Sequence, residues 1–147
     1  NVSGMQALLD DLQQRVQKAP REAPRLTAVA LDYADYLYDK ADWQTAADTY
    51  AVAIASEVGD TPDAAWARYQ RANAFLRMAD FENSIVLYDQ LAAGKSSWAQ
   101  DAKLKADYAR LEQRLRGLPV SPKQETGQTG QTGSTIATAG SPQSRTG

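Results

Sequence analysis

The sequence predicts an all-α protein, and three observations carry that expectation. Apolar residues recur at i, i+3, i+4 and i+7 through most of the first 116 positions. No stretch shows the apolar–polar alternation of a strand bounded by turn residues. A motif is written twice, 38 residues apart: Ala41-Asp42-Trp43 with Ala46 and Tyr50, then Ala79-Asp80-Phe81 with Ser84 and Tyr88.

About six helices follow from the periodicity and its punctuation. The first opens near Ser3, a plausible N-cap, carries Met5, Leu8, Leu9, Leu12 and Val16, and stops at Pro20. The second, from about Glu22 to Lys40, has Pro24 in its first turn and a stripe of Leu26, Val29, Ala30, Tyr33 and Leu37. Asp42 caps the third, whose Trp43, Ala46, Ala47, Tyr50, Ala53 and Ile54 share a face until Gly59-Asp60. Thr61-Pro62-Asp63 starts the fourth with a cap, a first-position proline and an acid in the first turn. It carries Ala65, Tyr69, Ala72, Phe75 and Leu76. Asp80 caps the fifth, with Phe81, Ile85, Tyr88 and Leu91 inward and Gly94 at its end. Ser96 or Ser97 begins the sixth, to about Arg116, with Leu104, Tyr108, Leu111 and Leu115 as its apolar line. Its charged faces place Asp101–Lys105 and Glu112–Arg116 in acid-first i,i+4 order. Beyond Gly117 large apolar residues almost vanish, and 118–147 is expected to be a disordered Gly/Thr/Ser/Gln-rich tail.

Composition removes whole classes of chemistry. The 147 residues are 43% hydrophobic, enough for a packed core. There is no Cys, so no disulfide, thiolate metal site or cysteine nucleophile. There is no His either, the commonest general base and transition-metal ligand. The glycine-rich tail lacks the strand, Lys and helix of a phosphate loop. Neither an enzyme, a cofactor nor a metal site is expected. Asp10-Asp11 point about 100° apart on a helix and do not converge. Asp32, Asp35 and Asp39 are better placed, either as a weak cation site or hook for a basic peptide, or as solvent-facing carboxylates.

Residues 1–63 hold 5 Lys/Arg against 11 Asp/Glu, a net of −6, whereas 64–116 hold 9 against 6, a net of +3. The overall −2 lacks the basic excess of a nucleic-acid binder. No run of 18 apolar residues exists, so no membrane insertion by this segment is expected. The first residue is Asn rather than Met, which reads as a processed or excised piece and leaves an upstream signal or anchor open.

Helical hairpins written with a period in the thirties are a packing solution, because one hairpin cannot bury its own apolar face and a second copy can. Small residues belong where helices cross closely, here Ala34, Ala72, Ala46 and Ser84. The doubled motif resembles the tetratricopeptide repeat (TPR). Ala41, Asp42, Trp43, Ala46, Tyr50 and Ala53 match that pattern, and Ala79, Asp80, Phe81, Ser84 and Tyr88 match it again, with Leu91 as a larger last residue. The sequence departs from the family in its turn Gly, which is Ala in both copies. Positions usually Trp and Leu are Ala30 and Tyr33, then Arg68 and Arg71. The resemblance implies a short right-handed solenoid of stacked antiparallel hairpins over residues 1–117. Its repeats fall at about 27–60 and 65–98, with a capping helix at about 97–116.

The resemblance also implies a function: a scaffold that holds a peptide or protein segment in a concave groove. Aligned to the family, the groove positions are Leu31, Asp35, Tyr38 and Asp39 in one copy. In the other they are Trp66, Tyr69, Asn73, Leu76 and Arg77. The alternative is a self-associating structural spacer, so a homo-oligomer stays open. The stretch from Leu31 to Ile54 is also similar to bacterial membrane-tethered members of the family. That likeness implies an accessory role in assembling an envelope complex, with a periplasmic or cell-envelope location and a cytoplasmic one as the alternative.

Overall fold

The computed structural model describes residues 2–57 and 59–120. Among these there are six α-helices and no strand: α1 (Val2–Lys18), α2 (Ala23–Asp39), α3 (Trp43–Ser56), α4 (Pro62–Arg77), α5 (Phe81–Ala92) and α6 (Ala99–Leu115). A short 3-10 turn over Pro20–Glu22 links α1 to α2. The described residues divide between Ala109 and Arg110 into two units.

Local chemistry sets the helix ends of the first unit. The side chains of Asp42, Thr61 and Asp80 accept from the backbone N–H groups of Thr45, Ala64 and Asn83, each three residues on. Pro62 occupies the first turn of α4, where no donor is lost. Ser3 is not a cap, since α1 already runs from Val2. Between α2 and α3, Ala41 takes φ of 61°; between α4 and α5, Ala79 takes 59°. Each turn closes with a six-residue bond, Asp42 N–H to Leu37 C=O at 3.0 Å and Asp80 N–H to Phe75 C=O at 2.9 Å. These are the positions where the resembling family carries glycine. Alanine reaches the left-handed region because both closing bonds hold it there.

In the first unit α1 packs on α2, and α2 through α5 pack each on the next. The core is built from the expected stripes. Leu9, Leu12, Leu26, Ala30, Tyr33, Leu37, Tyr50 and Ala53 form one cluster. Phe81 and Ile85 belong to another with Ala109, and Tyr88 and Leu91 to a third with Tyr69, Ala72, Ala102 and Ala106. Ala34, Ala46, Ala72 and Ser84 are fully buried, as close helix crossings require. Arg71, at a position the family usually fills with an apolar residue, donates from Nε to the Ala47 carbonyl at 3.2 Å and lies over the Phe75 ring. It ties α4 to α3 by a bond rather than by shape.

The sixth helix reverses the expectation. Leu104, Tyr108, Leu111 and Leu115 are all exposed, Leu104 at 64%. Its inward residues in the first unit are Ala102, Ala106 and Ala109. The physical reason is volume. Tyr69, Tyr88 and Trp98 already occupy the space, so the helix approaches through its smallest side chains. Lys105, which spacing pairs with Asp101, reaches the Asn73 Oδ1 at 3.2 Å.

The second unit begins within α6. Glu112 and Arg116 form the expected pair at 3.5 Å. Gly117, at φ of 68°, ends the helix, with its N–H on the Arg114 carbonyl and that of Leu118 on the Gln113 carbonyl, both at 3.0 Å. The expected disordered tail falls, from residue 121 onward, outside the described residues.

Candidate functional site: the face of α2 and α4

The two first helices of the doubled unit are joined by a shared acceptor. The Asp35 Oδ1 accepts from the Trp66 indole N–H at 3.2 Å and from the Tyr50 hydroxyl. One side chain of α2 thus holds α3 and α4 together. Thirty-eight positions later the arrangement recurs: the Tyr88 hydroxyl donates to the Asn73 Oδ1. That oxygen also takes the Lys105 ammonium, while the Asn73 amide donates to Gln70 at 2.8 Å. Asp35 and Asn73 are half-buried and buried. Burial raises the Tyr50 phenol well above its ordinary range, and the bond to Asp35 adds to it. Burial does the same at Tyr88, with Tyr69 adding to it.

The nine expected groove residues separate into three sets by exposure. Asp39 and Arg77 are exposed; Leu31, Asp35, Tyr38, Trp66 and Leu76 are half-buried. Tyr69 and Asn73 are only 7% and 5% exposed, so neither offers an open contact surface. Tyr69 stacks on Trp98, with centroids 4.7 Å apart and planes at 19°. Trp98 also meets Trp66 at 5.2 Å. The connection before α6 therefore covers Tyr69 and one side of Trp66, and leaves Arg77 exposed. Tyr38 meets Trp43 edge-on at 4.9 Å, and the Arg77 guanidinium lies 5.0 Å from the Trp43 ring centre.

What remains open is an acidic and aromatic face. Asp32 and Asp39 are exposed on α2 beside half-buried Leu31 and Tyr38, and Trp66 stands across from them on α4. The roles of Lys105 and Arg71 were not legible from pattern alone. The Asp35–Tyr50 bond had a signal: a 15-residue separation that repeats at Asn73–Tyr88.

Among the described residues no group of three or more His, Cys, Asp or Glu is placed to hold a metal ion, and Asp32, Asp35 and Asp39 form none. No helix there is long and apolar enough to cross a membrane. No family model, curated protein or solved structure matches the chain.

Proposed function

We propose that the protein is a tetratricopeptide-like scaffold that binds a basic peptide segment along the face of α2 and α4. The observation that carries this reading is the Asp35–Trp66 bond. It sets the indole of α4 beside the acidic, partly apolar surface of α2 without sealing either. Leu31, Tyr38 and Trp66 supply area at low entropy cost. Asp32 and Asp39 supply the charge that selects Lys or Arg in the partner, and the −6 of residues 1–63 steers it in. The repeat reading is supported by the matched caps at Asp42 and Asp80, the matched turns at Ala41 and Ala79, and the matched tyrosine bonds. The wider role we propose is assembly or accessory work at a cell envelope, with a cytoplasmic scaffold as the alternative; fractionation of the native source separates the two.

The test is a displayed peptide library selected on the full chain. A folded Asp39→Lys, Trp66→Ala variant serves as counter-screen, with circular dichroism confirming its helices. Basic peptides with an apolar anchor should emerge and lose about 30-fold or more in affinity on the variant. Peptides that bind both proteins equally would move the site off this face.

Self-association has one observation in its favour. Leu104 and Tyr108, four residues apart on α6, are exposed at 64% and 53%. A sedimentation mass that doubles with concentration, and returns to the monomer value in Leu104→Lys, would establish this second reading.

A further inference from the structure

A cavity of about 450 Å³ opens in the first unit between the start of α4 and the chain that leaves α5. That volume lies within the range of about 300–1,000 Å³ typical of small-ligand sites. None of its lining residues belongs to the face described above. Pro62, Ala65 and Leu91 line it with apolar surface, and Ala65 and Leu91 are each 6% exposed. Arg68 and Lys95 also line it, with Asp60 as the one acid among the lining residues.

Asp60 and Arg68 pair at the wall of the cavity. The Arg68 Nη1 lies 3.4 Å from the Asp60 Oδ1. The Asp60 side chain is fully exposed, so water competes for that carboxylate throughout. It marks a position where a carboxylate meets the guanidinium but brings no apolar body to the cavity. A ligand that carries both has the advantage, since its body buries against Leu91 and Ala65 while its charge replaces that of Asp60. The Thr61 hydroxyl is committed to capping Ala64 N–H and donating to Glu57, so it shapes the wall.

We propose that this cavity binds an aliphatic carboxylate, with the hydrocarbon against Pro62, Ala65 and Leu91 and the carboxylate between Arg68 and Lys95. Two sources share that chemistry: the C-terminus of a peptide ending in an aliphatic residue, and a free short-chain acid. The inference stands independently of the peptide face of α2 and α4.

The experiment is a ¹H–¹⁵N NMR titration of the full chain with N-acetyl-leucine, with its carboxamide, and with acetyl-Ala-Ala-Ala-Leu bearing a free carboxylate. Saturable shifts at the Ala65, Leu91 and Gly94 amides are expected with both acids, with the carboxamide weaker by about tenfold or more. Arg68→Gln and Lys95→Gln should each weaken the acids by a similar factor. Asp60→Asn, which removes the internal competitor, should tighten them a few-fold. A tetrapeptide much tighter than N-acetyl-leucine identifies a chain terminus as the source; equal affinities identify the free acid. Absence of saturable shifts with either acid, or equal binding of acid and carboxamide, overturns the proposal. An Asp60→Asn variant that binds no better shows that the Arg68 position is not shared, and overturns it too.

Discussion

The Tyr50 hydroxyl donates to the carboxylate of Asp35, and 38 positions later Tyr88 makes the same bond to Asn73. The doubled motif thus writes a hydrogen bond as well as a packing pattern. Tyr50→Phe should destabilise the protein by about 1.5–3 kcal/mol, the range for a bond to a charged group. Tyr88→Phe should lose about 1–2 kcal/mol, since Asn73 keeps Lys105. Urea unfolding of both variants checks this. A loss under about 0.3 kcal/mol at Tyr50 would show the bond to be incidental.

Alkaline pH should act through the same two phenols. Burial raises both above their unfolded value, at Tyr50 with help from Asp35. Below about pH 10 both states keep the protons and stability is unaffected. Above it the unfolded chain loses protons that the folded chain retains, so stability falls. The slope is about 1.4 kcal/mol per pH unit for each tyrosine until its folded value is reached. Urea midpoints from pH 8 to 11 should be flat and then drop, and the drop should be shallower in Tyr88→Phe.

Ala41 and Ala79 sit at φ near 60°, which strains any side chain. Ala41→Gly and Ala79→Gly should each stabilise by about 0.5–1 kcal/mol, the relief of strain outweighing the added freedom of the unfolded chain. Thermal melts of the single and double variants check this. The closing bonds of the two turns share no partner, so the gains should add.

The sixth helix gives a test of which face is inside. Leu104→Gln should change stability by less than about 0.5 kcal/mol, although it removes a leucine from an apolar line. Ala106→Leu should destabilise by about 1–3 kcal/mol by overfilling the space beside Tyr69 and Tyr88. The opposite order would mean that the leucine line is the packed face.

Local rules carried a great deal of this protein. Helical periodicity, the caps at Asp42, Thr61 and Asp80, and the inward stripes of α2 to α5 follow from the spacing of side chains along one helix, and such signals need no knowledge of a partner. The doubled motif announced that Ala34, Ala46, Ala72 and Ser84 stand at crossings, because a small residue at a repeated place has few other uses. Tertiary structure alone decided the rest. It turned α6 onto its alanines, since a helix's apolar line predicts the buried face only when the surface it meets has room for leucine, and Tyr69, Tyr88 and Trp98 leave none. For the same reason it took Tyr69 and Asn73 out of the open face and left Trp66 beside Asp35. Which side chains stay accessible depends on what packs across from them, and that distance is written nowhere along a single helix.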